Sequence, residues 1–271
     1  MAKQSVGKRG SAAEKLGWRL GVQAYTFHKF TFYEAVDKVA SLGLKYIEAY
    51  PGQPLSKARP EIRTNHDMPP AIRSEVKKTL RAAGVKLVCY GVVRLRKNEP
   101  ECRKVFDFAK AMGVETIVAE PTRQAFGLLD RLAKEYGVTL AIHNHPRPSR
   151  YWSPDILLRA CKGHSRRIGS CADTGHWMRS GLDPVETIRK LRGRIVSLHM
   201  KDLNAYGREA HDVPWGTGVG ETDAVLAELH RQKVRAVFSI EYEHNWYHSV
   251  PDIARCVSYF EEAAERLRRR T

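Results

Sequence analysis

Two stretches decide the fold: Cys171-Ala-Asp173-Thr-Gly-His176 and, about one βα unit later, Val196-Ser-Leu-His199-Met-Lys201-Asp202. In each, a short apolar run of the kind that forms a buried parallel strand stops abruptly at residues that bind metals or move protons. The same punctuation recurs at Thr116-Ile-Val-Ala-Glu120, at Thr139-Leu-Ala-Ile-His143-Asn-His145 and at Val237-Phe-Ser-Ile-Glu241-Tyr-Glu243. Strand ends carrying Glu, His, Asp, His and Glu in turn point to one shared site rather than to independent solvated loops.

Outward from these segments, strand-like and helix-like patterns alternate along the chain. Residues 1–18 read as a flexible arm and 19–271 as one domain. Arg19 to Tyr25 is the first strand. The amphipathic helix from Thr31 to Leu42 has Thr31 as its cap and Glu34 three residues on, a capping-box pattern, and stops at Gly43. Strand two, Leu44 to Glu48, is followed by a turn-rich stretch running to about Pro70, long enough to serve as a lid. The rhythm continues through Val85 to Tyr90, through the strands ending at Glu120 and His143, and through Arg167 to Cys171. Asp183 and Pro184 open a helix as N-cap and first residue. Eight strands alternating with eight helices, without a Gly-x-Gly-x-x-Gly turn after the first strand, predict a single-domain (β/α)8 TIM barrel, not a Rossmann sheet. In such barrels the chemistry lies at the C-terminal strand ends, where Glu120, His143, His145, Asp173, His176, His199 and Glu241 all fall.

Composition bounds what that site can serve. The 271 residues, 42% of them hydrophobic, suffice for one large core. No run approaches the roughly 18 apolar residues of a membrane helix, and the N-terminus lacks a signal peptide's apolar stretch, so a cytoplasmic location is expected; an exported form already trimmed would read the same. The five cysteines are odd in number and have no Cys-x-x-Cys pair, which argues for reduced thiols. A net charge of +16 invites a nucleic-acid reading, but the basic residues are spread over helices and concentrated only at Arg266 to Arg270, with no aromatic interleaving. Neither nucleic acid nor a membrane is the expected partner.

Three carboxylates and one imidazole, Glu120, Asp173, His199 and Glu241, make a hard ligand set for one divalent ion. Mn²⁺ is the first expectation, with Mg²⁺, Co²⁺ and Zn²⁺ also compatible. Open coordination positions would let the ion polarise a sugar carbonyl and stabilise an enediolate, while one carboxylate takes the α-proton and a second returns it. Any one of these residues alone reads more often as a loop hydrogen-bonding group; it is the four in register that point to a metal.

Over residues 19–265 the chain resembles the xylose-isomerase-like barrel superfamily, the sugar and sugar-phosphate isomerases and epimerases. The matching motifs are Gly21-Val-Gln-Ala-Tyr-Thr, Gly43-Leu-Lys-Tyr-Ile-Glu48, Glu120-Pro121, Asp173-Thr-Gly-His176, His199-Met-Lys201-Asp202, Pro214-Trp-Gly-Thr-Gly218 and Ser239-Ile-Glu241. The resemblance implies that the four ligands hold one ion, that Glu120 and Glu241 are the acid/base pair, and that His176 contacts substrate oxygens. It is also compatible with a homo-oligomer.

His143 and His145 add two imidazoles to the mouth. Together with Tyr50-Pro-Gly-Gln53 and the segment after Glu241, they resemble a branch acting on 3-keto-glycosides, where proton abstraction ends in β-elimination. That lyase-type outcome is the alternative to epimerisation. His145 reads equally as a substrate contact or as a partner of another site residue. Lys201 reads as a ligand of a substrate oxygen or phosphate, or as a salt bridge. Trp215 and Trp246 can stack on sugar faces or pack internally. A non-catalytic metal- or sugar-binding subunit would use the same ligands. An apurinic-site nuclease would need further histidines after strands two and three, where Glu48-Ala-Tyr50 and Cys89-Tyr-Gly91 stand.

Overall fold

Short β-branched and apolar runs form the strands of the computed structural model, which describes residues 10–270. They are β1 (Arg19–Gln23), β2 (Tyr46–Ala49), β3 (Lys86–Val93), β4 (Thr116–Ala119), β5 (Thr139–His143), β6 (Ile168–Asp173), β7 (Ile195–Met200) and β8 (Val237–Ile240). All neighbours are parallel, and the ring closes in the order β1–β8–β7–β6–β5–β4–β3–β2. β4, β6 and β8 are buried along their whole length, as a strand must be when packed between barrel interior and outer helices. The expected TIM barrel is therefore the fold.

Around the ring lie α1 (Phe32–Ser41), α2 (Pro70–Ala82), α3 (Glu99–Met112), α4 (Phe126–Tyr136), α5 (Pro154–Cys161), α6 (Pro184–Lys190), α7 (Thr222–Arg231) and α8 (Val250–Arg268). Their ends follow the local chemistry. Thr31 and Glu34 form the reciprocal capping box on α1, with Glu34 N to Thr31 Oγ1 at 3.3 Å and Thr31 N to Glu34 Oε2 at 3.0 Å. Asp183 caps α6 by accepting from Glu186 N at 3.0 Å. Gly113 and Gly137 close α3 and α4 at φ of 76° and 70°, a left-handed geometry that costs a glycine little.

Four local expectations change. Of the arm expected over residues 1–18, residues 1–9 lie outside the described range. Residues 10–18 are not an arm: Ala12–Lys15 forms a helical turn, and Trp18 is 1% exposed, packed against Phe238 and Phe260 with its indole N–H donating to Val234 O at 2.9 Å. The indole packs in the layer between β8 and α8, fastening the segment before β1 to the outer shell of the barrel. β1 stops at Gln23, two residues early, because the Gln23 side chain accepts from Tyr25 N and the chain turns into a 3₁₀ helix over Ala24–Phe27. The turn-rich stretch after β2 carries an antiparallel hairpin, Pro54–Ser56 with Arg59–Arg63. The hairpin is tied down by a buried Leu55 and by Gln53 donating to Phe27 O and Phe30 O. A short helix, Thr174–Arg179, follows β6 directly. All five cysteines are buried and free, and no helix among the described residues is long and apolar enough to cross a membrane.

Candidate active site and metal centre

Every barrel strand delivers its C-terminal residues to the same end, and strand alternation aims selected ones inward. At the floor, four donor atoms converge. His143 Nε2 lies 3.1 Å from His199 Nδ1 and 3.5 Å from Asp173 Oδ2, and His199 Nδ1 lies 3.2 Å from Glu241 Oε2. Asp173 and His199 have no exposed surface, His143 has 1% and Glu241 6%. Bonds of about 2.1 Å to one ion set neighbouring ligand atoms about 3.0–3.4 Å apart, so these spacings suit a single divalent cation. Asp173 Oδ2 accepts no hydrogen bond, which leaves its lone pairs available. Burial holds His143 at about 4, neutral near pH 7 as a ligand must be.

The cluster is braced from behind. His199 Nε2 lies 2.9 Å from Glu48 Oε1, and Glu48 is itself buried, accepting from Gln23 Nε2 and Ser239 Oγ. A carboxylate there fixes the proton on Nε2 and turns the Nδ1 lone pair toward the cluster. Asn144, between His143 at the end of β5 and His145 just beyond it, clamps Asp173 by donating to its carbonyl and accepting from its N–H, both at 2.9 Å. Asp173 also caps the short helix, its Oδ1 accepting from His176 N at 2.7 Å, and so presents Oδ2 to the cluster. Thr174 holds the Lys201 backbone through bonds of 2.8 and 2.9 Å. Gly175 lies on the Lys201 stem so closely that a Cβ there would be 2.7 Å from Lys201 Cδ. Each residue of the Asp-Thr-Gly-His motif thus has a separate mechanical task.

Three residues singled out from sequence stand differently from expectation. Glu120, expected as a ligand, is not among the four donor atoms that converge at the floor, where the imidazole of His143 stands instead; it forms a second potential ligand group with His143 and His145 and pairs with His145 Nδ1 at 2.8 Å. Burial would raise the Glu120 carboxyl, but the His145 bond together with the charges of His145, His143 and Arg94 keeps Glu120 below its ordinary range; burial would lower His145, but Glu120, with Glu241 and Asp173, raises it. With two imidazoles and two carboxylates, the preference for Mn²⁺ read from three carboxylates loses its basis, since imidazole suits Zn²⁺ equally well. Lys201, expected at the substrate, is 2% exposed. Its Nζ lies at ion-pair distance from Asp173 Oδ2 (3.0 Å), Glu241 Oε2 (2.8 Å) and Glu243 Oε1 (3.4 Å), poorly aligned for hydrogen bonding.

Trp215 is likewise no substrate platform. It is 3% exposed, packs edge-on against Phe260, and its backbone N–H reaches Cys256 Sγ. The loop around it is gathered by Asp202, whose carboxylate accepts from Gly216 N, Gly218 N and Gly220 N at 2.9–3.0 Å. Asp202 would clash with any Cβ at Gly218 or Gly220.

Above the cluster opens a cavity of about 460 Å³, lined by Glu120, His145, His176, Glu241 and Glu243, with Gln23, Tyr25, Tyr50 and Arg94 completing the walls. His176 is buried and held neutral by that burial. Arg179 lies behind it, 3.3 Å from His176 Nδ1, and pairs with Asp212 at 2.8 Å. Trp246 stands at the rim, edge-on to Tyr25 and to His28. Glu48, Asn144, Glu243 and Arg179 were given no individual role from sequence, although Glu48 ends a strand and Glu243 follows Glu241 with the period of a strand.

A model of the Xylose isomerase-like TIM barrel family matches residues 36–269. The chain belongs to that family. Among solved structures, this xylose isomerase-like barrel is similar to an uncharacterized protein of Parabacteroides distasonis ATCC 8503, at 33% identity and a TM-score of 0.74 over 91% of this chain and 99% of that one. A D-tagatose 3-epimerase-like protein shares the fold, with a TM-score of 0.72 and 19% identity over 93% of this chain and 99% of that one. Among curated proteins, the inosose dehydratase of Bacillus thuringiensis (strain Al Hakam) is 28% identical over 156 residues, 52% of this chain. The chain spans about half the length of the curated relatives it matches, 50% in this case.

Proposed function

We propose that the protein is a divalent-metal-dependent isomerase or epimerase that moves a proton on the carbon next to the carbonyl of a keto-sugar or sugar derivative. One observation carries the reading. β4 and β8 stand opposite each other in the eight-strand ring, so Glu120 and Glu241 line one cavity from facing walls above the donor cluster. Two carboxylates on opposite faces of a flattened carbon take a proton on one side and return it on the other, which inverts that centre.

A cation held by His143, Asp173, His199 and Glu241 would supply Lewis-acid polarisation of the substrate carbonyl. The chain's own groups do the rest. Glu241 takes the α-proton. On the other face Glu120 relays to the carbon a proton taken from His145, which is reprotonated from solvent, while the proton left on Glu241 passes to solvent before the next turnover. His176 orients substrate oxygens from the cavity wall, and the aromatic rim of Tyr25, Tyr50 and Trp246 offers flat apolar faces to the sugar's C–H surface.

A second reading rests on His145. Its bond to Glu120 places an imidazole at the cavity wall where it can protonate a departing oxygen, giving β-elimination from a 3-keto-glycoside or loss of water; the similarity to inosose dehydratase supports it. The test for both is solvent-deuterium incorporation into a panel of keto-sugars and 3-keto-glycosides, with and without chelator. Chelator-sensitive exchange at the α-carbon is expected, and its absence from protein of measured metal content would overturn the reading. Release of aglycone or water selects elimination.

A further inference from the structure

On the outer helices, arginines such as Arg103, Arg131 and Arg231 are paired with carboxylates. At the mouth of the barrel this changes. Beyond β3 the chain stays extended, with Val93 and Leu95 buried at 4% and 3% and Arg94 and Arg96 exposed, the alternation of a strand. Glu120 N donates to Val93 O at 2.9 Å and Thr122 N to Leu95 O at 2.8 Å, so the segment is pinned to the exit of β4. Both guanidiniums stand on one side of it, and among the described residues neither has a hydrogen-bond or ion-pair partner. Arg150 stands with them, its Nη1 held by Pro121 O at 2.9 Å.

These three arginines, the hydroxyl-bearing Thr122 and Ser149, and Glu120 line a recess of about 280 Å³. Glu120 and Arg94 also line the main cavity, so the recess adjoins the place of proton transfer. Its one carboxylate is already taken by His145. Three guanidiniums around a small pocket raise the local potential, and their planar donor forks match phosphate and carboxylate oxygens.

We infer that this recess is an oxyanion subsite, and that the substrate is a sugar derivative carrying a phosphate ester or a carboxylate at the end remote from its reacting carbon. The inference rests on the proton-transfer reading above, and its test separates the two. Calorimetric titration of D-fructose, D-fructose 6-phosphate and D-fructuronate compares ligands differing in the anion, with inorganic phosphate as competitor. The anionic ligands are expected to bind about tenfold or more tighter than fructose, and the Arg94→Gln/Arg96→Gln double variant to lose that advantage. Preference for the phosphate or for the carboxylate identifies the natural anion. A Lys78→Gln/Arg81→Gln control removes equal charge from the exposed face of α2 and should leave the advantage intact. Equal binding of all ligands, failure of phosphate to bind or compete, or equal loss in the control overturns the subsite. Arginine-dependent binding without deuterium exchange keeps the subsite and removes the proton-transfer reading, whereas exchange without anion preference does the reverse.

Discussion

The ammonium of Lys201 lies 2.8 Å from Glu241 Oε2 inside the barrel, on one of the oxygens that also belongs to the four-atom donor cluster. It neutralises part of a buried negative charge shared by Asp173, Glu241 and Glu243. Lys201→Met would leave those carboxylates unpaired, and removing one member of a buried ion pair costs about 3–5 kcal/mol. The metal-free variant is therefore expected to melt well below the metal-free wild type. A divalent cation should stabilise the variant more than the wild type, because it replaces a missing charge. Thermal melts with chelator and with added Zn²⁺ or Mn²⁺ check this; equal shifts in the two proteins would contradict it.

Glu120 and Glu241 should fail differently. Glu241→Gln loses the α-proton acceptor and one charge of the donor cluster, so deuterium exchange should fall by about 10²–10⁴-fold with the circular dichroism spectrum unchanged. Glu120→Gln leaves the cluster intact and should still exchange the proton on the Glu241 side while no longer forming the inverted product. Product stereochemistry alongside isotope content separates these outcomes.

Glu48 holds the outer nitrogen of His199. Glu48→Gln can hydrogen-bond to Nε2 as a donor or an acceptor, so the proton is no longer fixed there. Metal affinity is expected to drop by about 10–100-fold, the usual cost of losing such a support. Competition with a chromophoric chelator measures it, and an unchanged affinity would mean that His199 is not a ligand.

Glu228 ties α7 to α6. Hydrogen bonds from Arg231, then Gln232, with Arg189 nearby, hold its carboxyl at about 2, below the ordinary 4.5. A depressed carboxylate stabilises the fold fully above its unfolded value and loses that contribution as pH falls through the folded value. Glu228→Gln should therefore lower the melting temperature at pH 7, and its gap from wild type should narrow progressively from about pH 5 down to about pH 2. A gap independent of pH would show that packing alone is at stake.

The barrel was legible because its strand runs are short, apolar and regularly punctuated, and because caps such as Thr31 with Glu34 and Asp183 with Pro184 depend on neighbours only a few residues away. Asp173, His199 and Glu241 were legible for the same reason: each stands where an apolar run stops. That His143 joins these three at the floor while Glu120 pairs with His145 was not, since it depends on how far each side chain reaches across the barrel. Nor was the burial of Trp215, because a tryptophan in a glycine-rich loop looks the same in sequence whether it faces sugar or Phe260. Glu48 was passed over because its partner lies 151 residues away.

Lys201 and Asp202 are adjacent, yet one side chain enters the cluster while the other draws Gly216, Gly218 and Gly220 into place outside it. Where β7 ends, the chain therefore works as a two-sided key. A slip of one residue there would put an anion among carboxylates and a cation in a ring of N–H donors, losing the centre and the loop at once. The flanking loop consequently proofreads the register of this strand: only a correctly seated Lys201 leaves Asp202 where the three glycines can close on it.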